Sequence, residues 1–325
     1  MLSAGILACA IDETPLTVID LETTGLVPGA DRVVEVSAVR AEARSEPRLL
    51  LDTLVNPQRP VAATEIHGIR DEDVADAPRF GEVAGDLIRA AAGTVIASYN
   101  VYFDVNFLDC ELRQVGMRAS PPHVCLMYLR PLLGLGRKCS LQEACKAHGL
   151  EHTTVHMTSA DALAAARLAG LYFAEMRARG VRTYSDLARA GKYKFISSFS
   201  RPLLDPQAAA PWPPCPRVKS RAARSSVISV GAEAGKGAQK ELQEYWDALT
   251  TAVADLEVTD EEIGELGEKK RELGLTDDQV RALHARVFAG ALTRMTDDER
   301  LSETEARSLR RLRFCLRELG WSPGD

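Results

Sequence analysis

Residues 17–26 read Thr-Val-Ile-Asp-Leu-Glu-Thr-Thr-Gly-Leu. Its β-branched, apolar first half predicts a strand that starts at Leu16. Asp20 and Glu22 are two residues apart on that strand, so both carboxylates point to the same face of the sheet. Crowded carboxylates repel each other unless a cation lies between them, and hard oxygen ligands favour Mg²⁺ or Mn²⁺. The pattern therefore indicates a divalent-metal site at the end of the strand.

The strand leads into a predicted turn formed by Thr23, Thr24 and Gly25. Glycine lets the backbone of such a turn approach a ligand closely. Taken alone, an Asp-x-Glu pair is common, and surface acids at the end of a strand would explain it as well. The interpretation therefore depends on what the rest of the chain adds.

The sequence on the C-terminal side of this strand predicts an α/β domain with a mixed sheet, because a meander of strands is followed by strands separated by helices. The alternation of apolar and polar residues over 33–39 is typical of a half-buried strand. Further strands are predicted at 48–55 and 94–98, and helices at 80–92, 103–115, 122–133, 140–149 and 159–179.

Two further segments place acids near helix starts. Asp104 lies in the first turn of the helix that follows the strand 94–98, where the helix dipole favours an anion. In the string His-Met-Thr-Ser-Ala-Asp (156–161), Thr158 or Ser159 is predicted to cap a helix, which puts Asp161 in its first turn. Each acid alone would be an ordinary helix-terminus residue.

His156 lies in the loop just before that predicted helix. A mobile, exposed histidine beside a metal-bound water is suited to general-base catalysis. The alternative is a surface histidine without a function. Of the other histidines, only His67, in the string Glu-Ile-His-Gly-Ile (65–69), has a comparable context, since this loop is predicted to lie near the sheet and to touch substrate.

Together, the strings at 20–26, 100–104 and 156–161 resemble the three motifs of the DEDDh family of 3′→5′ exonucleases. That family includes the proofreading epsilon subunit of bacterial DNA polymerase III and ribonuclease T. Its Ile-His-Gly-Ile element is also present at Ile66–Ile69, and the resemblance covers about residues 14–175. One departure is Tyr99, where relatives often carry histidine; we expect it to tune substrate fit.

The resemblance implies a ribonuclease-H-like α/β sheet flanked by helices and a two-metal-ion mechanism. It assigns Asp20, Glu22, Asp104 and Asp161 as ligands of two divalent cations, Mg²⁺ or Mn²⁺, and His156 as the general base. The substrate would be the 3′ end of a single strand of DNA. The predicted substrate-binding residues are Thr23, Thr24, Gly25, Leu26, Ile66, His67, Asn100 and Phe103.

Charge divides the chain into regions. The formal net charge of the 325 residues is −6, but residues 177–240 hold thirteen basic and three acidic residues. Such a stretch can hold phosphates, with Tyr184, Tyr193 and Phe195 stacking on bases, or it can be a solubilising linker. By contrast, residues 241–325 hold twelve basic and twenty acidic residues, which argues against direct DNA binding there.

Composition predicts four segments. Residues 1–13 are an N-terminal extension, and 14–204 an exonuclease domain that ends in basic sequence. Residues 205–238 are a linker rich in Pro, Ser, Gly and Lys, and 239–325 a small helical domain. Capping boxes mark four helix starts in the last segment, at Thr259, Thr276, Thr296 and Ser302. Similar strings at 258–266 and 301–309 suggest a duplicated helix pair.

Several functional alternatives stay open on the sequence. The enzyme could trim RNA 3′ ends instead of proofreading or repairing DNA, since only 2′-OH contacts separate the two substrates. A non-catalytic nucleic-acid-binding or polymerase-scaffold protein is disfavoured because all five catalytic positions are intact. The helical domain could dock a DNA polymerase or another replication or repair protein. The seven scattered cysteines and the lack of a membrane-length apolar run predict a cytoplasmic protein with no membrane partner.

Overall fold

The computed structural model describes residues 6–43, 45–152, 157–189, 193–216, 218–221, 236–253, 258–295 and 302–323. They fall into two compact units. The first, called the sheet unit below, lies within Met1–Thr24, Arg32–Val61 and Ile69–Ile228, and the second, called the helical unit, lies within Gly25–Asp31, Ala62–Gly68 and Ser229–Asp325. The segment boundaries given above stay a prediction.

A five-stranded mixed sheet forms the centre of the sheet unit, with the strand order β3-β2-β1-β4-β5. The strands are β1 (Leu16–Thr23), β2 (Val33–Ala41), β3 (Arg48–Leu54), β4 (Val95–Ser98) and β5 (His123–Cys125). β1 runs antiparallel to β2 and parallel to β4, so it lies in the middle of the sheet. The predicted ribonuclease-H-like mixed sheet flanked by helices is confirmed, as is the helical C-terminal region.

The helices are α1 (Thr64–His67), α2 (Asp71–Val74), α3 (Phe80–Ala91), α4 (Val101–Gln114), α5 (Leu126–Leu132), α6 (Leu141–Ala147), α7 (Thr158–Ala178), α8 (Tyr184–Ala188), α9 (Lys236–Ala252), α10 (Asp260–Glu272), α11 (Asp277–Met295) and α12 (Glu303–Glu318). Those predicted at 80–92, 103–115, 140–149 and 159–179 are present with small shifts at their ends, whereas the short helices α1, α2 and α8 were not predicted. The helix predicted over 122–133 is wrong in its first turn, which forms β5 instead. Pairing with β4 overrides local helical spacing there.

Helices cover both faces of the sheet. On one face, Ile19, Leu21 and Val36 pack with α3 residues such as Val83 and Leu87 in an apolar core. Each such side chain, once buried, contributes about 1.5–3 kcal/mol to stability. On the other face α7 packs against β1 and β2. The prediction that β2 is half-buried is therefore wrong, since burial extends over its first seven residues.

The predicted linker is partly structured. Pro206–Ala209 forms a short 3₁₀ helix that packs on α3, and Ala209 is 3% exposed. Farther along, Cys215 N donates to Asp86 Oδ2 at 2.8 Å. These contacts fix the first part of the segment to the sheet unit.

The helical unit has its own apolar core, built from α9–α12 and joined by Ala63 and Ile66. Capping boxes at Thr259 and Ser302 are confirmed, and Thr276 exchanges the same pair of hydrogen bonds with Gln279. The box predicted at Thr296 lies outside the described residues. Within the described ranges, no helix has both the length and the apolar character needed to cross a bilayer.

Candidate active site

Asp20 and Glu22 lie on the face of β1 that α7 covers, and both are partly exposed. Their partners across the antiparallel pair with β2 are Ser37, opposite Asp20, and Glu35, opposite Glu22. Directly opposed residues share a face of the sheet. A row of polar side chains therefore crosses the centre of an otherwise apolar sheet.

Asp104 lies in the first turn of α4 and is 4% exposed. The hydroxyl of Ser98, the last residue of β4, donates a hydrogen bond to Asp104 Oδ2. Burial raises the pKa of Asp104 to about 7, although the Ser98 hydrogen bond works in the opposite direction. A carboxyl group this deeply buried needs a cation to stay ionised at neutral pH.

Asp161 lies in the first turn of α7, as predicted, and is 7% exposed. The predicted cap is wrong: Met157 occupies the N-cap position without a side-chain hydrogen bond, and Thr158 is the first helical residue. The Thr158 hydroxyl is engaged elsewhere, 2.6 Å from Ser37 Oγ. His152 Nε2 lies 2.8 Å from Asp161 Oδ1, so a histidine that the sequence did not single out contacts this carboxylate.

The predicted ligands act on one another electrostatically. Burial raises the pKa of Asp20 well above its ordinary value, and repulsion from Asp161, Asp104 and Glu22 raises it further. Three separate segments of the chain thus bring negative charge to one place. Among the described residues, no group of three or more His, Cys, Asp or Glu side chains is preassembled to hold a metal ion.

The chemistry of the donor set fits divalent cations. All four groups are carboxylates, the hard oxygen ligands that Mg²⁺ and Mn²⁺ prefer. The four carboxylates repel one another, and cations placed between them would replace this repulsion with attraction. The predicted general base, His156, lies outside the described residues, and its role stays a prediction.

The predicted substrate-binding residues are divided between the two units. In the sheet unit, Thr23 and Thr24 are buried, and Thr24 accepts a hydrogen bond from Arg32 N at 3.1 Å. Asn100 is the N-cap residue of α4, and its Oδ1 is buried without a hydrogen-bond partner among the described residues. Phe103 is half-buried, with its ring 4.9 Å from that of Phe107.

The remaining predicted substrate-binding residues, Gly25, Leu26, Ile66 and His67, belong to the helical unit. Ile66 is 3% exposed within the helical core, and Leu26 packs against the same cluster. His67 is equally buried, with Nε2 at 3.2 Å from Ala62 O. Contact of these four residues with a nucleotide stays a prediction.

The prediction that Tyr184 and Phe195 stack on bases is wrong. Both side chains are fully buried, and both pack against Phe199 in the sheet unit. Tyr193 is half-buried, and its ring lies 4.8 Å from that of Tyr128. Aromatic residues beside basic ones here form local cores, which spacing along the chain does not reveal.

Glu35, which is 0% exposed beside the carboxylate row, was not singled out from the sequence. Burial raises its pKa to about 8, while Arg221 lowers it. The only available signal was a charged residue inside the apolar string Val-Val-Glu-Val (33–36), which alternation alone places on an exposed face. His152 was missed as well, because it lies before the third motif.

Comparison with known proteins shows what this region is similar to. Residues 17–169 match the RNase_T family model, described as exonuclease. A DNA polymerase III subunit epsilon-like protein of Rhodobacter capsulatus is 35% identical over 191 residues, which cover 54% of this chain and 27% of the relative. The DNA polymerase III subunit epsilon of Treponema pallidum is 37% identical over 103 residues, covering 31% and 47%.

The epsilon subunit of Pasteurella multocida is 30% identical over 158 residues, which cover 45% of this chain and 62% of that protein. The chain thus spans less than two thirds of the length of each of these relatives. Among solved structures, exonuclease X in complex with 5′ overhanging duplex DNA matches 51% of this chain and 93% of its own at 27% identity, with a TM-score of 0.38.

Proposed function

We propose that this chain, whose residues 17–169 form an exonuclease-family domain, hydrolyses phosphodiester bonds at the 3′ ends of single-stranded DNA. The observation that carries the proposal is the cluster of carboxylates on one face of the sheet. Asp161 and Asp104, from two different helices, raise the pKa of Asp20 on the central strand. Buried acids with perturbed pKa values that converge from separate segments are typical of active sites.

Asp20, Glu22, Asp104 and Asp161 would hold two divalent cations, Mg²⁺ or Mn²⁺. When bound, such ions neutralise the scissile phosphate and promote ionisation of the attacking water. The protein holds the ligands in place through β1 and the first turns of α4 and α7. His156 would accept the proton of the attacking water, and its place before α7 keeps it close to Asp161 along the chain.

Residues around the carboxylate row would bind the terminal nucleotide. The unpartnered, buried Asn100 Oδ1 supports a polar contact with substrate, since buried acceptors are otherwise nearly always satisfied. The half-buried ring of Phe103 offers an apolar surface on the same helix, α4. Contact of Leu26, Ile66 and His67 with the nucleotide stays a prediction from the sequence.

A role in DNA proofreading or repair is supported by the names of the relatives, which are polymerase III epsilon subunits. We expect the helical unit to be the part that docks a polymerase or another replication or repair protein. All seven cysteines are free thiols, which supports action in a reducing compartment such as the cytoplasm.

The test uses the purified full chain and single strands of DNA and RNA, labelled at the 5′ end, with a free or a blocked 3′ end. We expect stepwise shortening of DNA with a free 3′ end in the presence of Mg²⁺ or Mn²⁺, and none in EDTA. Shortening of blocked strands at internal sites would contradict exonuclease action. Faster shortening of RNA than of DNA would instead support the RNA-trimming alternative.

A further inference from the structure

Residues 218–221, called the strap below, dock along the edge of β3. Leu54 N donates to Lys219 O at 2.9 Å, and Lys219 N donates to Thr53 Oγ1 at 3.0 Å. On the side of the strap, the backbone of Lys219 makes both contacts. The strap therefore has a fixed register on the sheet unit.

The polar row on the sheet continues into the strap. Ser37 donates to Asp52 Oδ1 at 2.7 Å, and Asp52 Oδ2 accepts a hydrogen bond from the Ser220 hydroxyl. Ser37 is also the residue that pairs with Asp20 across the sheet. Hydrogen bonds thus link the strap to the residue opposite a predicted metal ligand.

Arg221 follows Ser220 and brings a positive charge to the same place. Its Nη1 lies 3.5 Å from Glu35 Oε2, and the two side chains are 25% and 0% exposed. Glu35 is paired across the sheet with Glu22, another predicted ligand. Its Oε2 also accepts a long hydrogen bond of 3.5 Å from Thr158 N, at the start of the helix that carries Asp161.

The second oxygen of Glu35 is not satisfied. Oε1 is buried and has no hydrogen-bond partner among the described residues. A buried carboxylate in this state gains free energy by turning towards any nearby cation. Since Glu35 acts on Asp20 electrostatically, cations held by the predicted ligands would attract it unless another positive charge restrained it.

We infer that Arg221 is a positioning residue that binds Glu35 and keeps this fifth carboxylate from coordinating the catalytic cations. The inference rests on the proposed function, because it needs cations at the carboxylate row. It also gives the strap a place in the active site: part of a segment that composition marks as a linker sets the coordination of the metal centre.

The experiment compares four variants of the full chain: Arg221→Ala, Arg221→Lys, Glu35→Gln, and the double variant that combines Arg221→Ala with Glu35→Gln. Arg118→Ala is the matched control, since it removes one exposed arginine from the same unit. The readouts are kcat and KM on a labelled DNA strand, Mn²⁺ affinity by calorimetry and the melting temperature in EDTA. Asp20→Ala accompanies them as the test of the metal site itself.

We expect Arg221→Ala to lower kcat about tenfold or more, the usual cost of losing a residue that orients metal ligands, with KM nearly unchanged and Mn²⁺ bound more tightly. Arg221→Lys should recover part of the loss because it keeps the charge. Glu35→Gln should restore kcat in the Arg221→Ala chain, since an amide is a poorer ligand. Arg118→Ala should match the wild type.

Three results would overturn the inference: wild-type kcat in Arg221→Ala, weaker Mn²⁺ binding, or no recovery with Glu35→Gln. A raised KM with unchanged kcat would show that Arg221 binds substrate phosphate instead. If Arg221→Ala fails to fold, the two remaining single variants still test the inference. It then requires an intermediate kcat for Arg221→Lys and a kcat near that of the wild type for Glu35→Gln. Full activity of Asp20→Ala would instead reject the proposed function.

Discussion

The two units differ in the kind of polar group that they bury. In the sheet unit, Asp104 and Glu35 are carboxyl groups whose pKa values burial raises to about 7 and about 8. In the helical unit, His284 is 0% exposed, its Nε2 lies 2.8 Å from the Tyr245 hydroxyl, and burial lowers its pKa to about 4. One unit gathers charges of the same sign, and the other keeps a single group neutral and hydrogen-bonded.

This difference distinguishes buried polar groups that bind a ligand from those that only pack in a core. A neutral, paired group is compatible with an apolar core at moderate cost. A cluster of buried carboxylates destabilises the fold unless a ligand compensates the charge, so it marks a place where binding occurs. We therefore expect changes at the carboxylate row to alter activity, and changes at His284 to alter stability.

The largest effect should follow from Asp20→Ala. Loss of a metal ligand removes several kcal/mol of transition-state stabilisation, which corresponds to about 10³-fold or more in rate. The measurement is nucleotide release with Mg²⁺ or Mn²⁺, and circular dichroism serves as the control for folding. His284→Phe, the counterpart in the helical unit, should keep the rate near that of the wild type. Equal losses of rate in both variants would contradict this difference between the two units.

The next largest effect should follow from His156→Ala. General bases contribute about 10²–10⁴-fold to rate, so single-turnover hydrolysis should slow by that factor. Mn²⁺ affinity should hardly change, because the ligands are carboxylates. A calorimetric titration that showed affinity falling in step with rate would make His156 a ligand.

A third effect concerns stability without metal. Because the pKa of Asp104 is about 7 in the fold and 3.8 ordinarily, the folded state binds the extra proton between these values. Stability should therefore fall as pH rises from about 4 to 7, by roughly 4 kcal/mol. Urea unfolding in EDTA would measure this loss of stability. A variant that keeps Trp212 as its single tryptophan reports on the sheet unit. Asp104→Asn should remove this share of the pH dependence and leave the shares of Glu35 and Asp20, whose pKa values burial also raises. An unchanged slope would contradict the assignment.

The helical unit should respond in the opposite direction. The pKa of His284 is about 4 in the fold and 6.5 ordinarily, so the unfolded chain binds the proton first as pH falls. Stability should decrease by about 3 kcal/mol between pH 6.5 and 4. A chain with Trp321 as its single tryptophan reports on this unit. His284→Phe should remove the slope, although it also costs the hydrogen bond with Tyr245.

The smallest effect should appear in the salt dependence of binding. Replacing Arg217 and Arg224 of the basic segment with Ala should reduce the slope of log affinity against log salt by about 1.4, since each phosphate contact on a single strand contributes about 0.7. Replacing the exposed Arg307 and Arg310 of the helical unit is the matched control. Fluorescence anisotropy on one labelled strand measures both. Identical slopes would favour a solubilising linker.

The parts of the fold that depend on local pattern could be predicted from the sequence. β1, α3 and α7 follow from β-branched and apolar spacing, and Asp20, Asp104 and Asp161 from strand ends and first helical turns. These features are encoded within a few neighbouring residues, which is why short motifs suffice to find them.

The features that depend on contacts distant in sequence could not be predicted. Glu35 is buried because α7 covers β2, and the strap is ordered because β3 offers hydrogen bonds to a proline-rich segment. Tyr184 and Phe195 are core residues because each packs against Phe199. Composition and spacing describe each of these segments alone, whereas their structure is decided by a partner far along the chain.

The position of β1 between β2 and β4 has a consequence for synthesis on the ribosome. Asp20 and Glu22 leave the exit tunnel early and can pair with β2 at once, but the parallel partner β4 begins only at Val95. Asp161 follows later still. Since domains fold as units once enough chain has emerged, a nascent chain would carry two of the four carboxylates for much of its translation. The four carboxylates can come together only after α7, which carries Asp161, has left the tunnel.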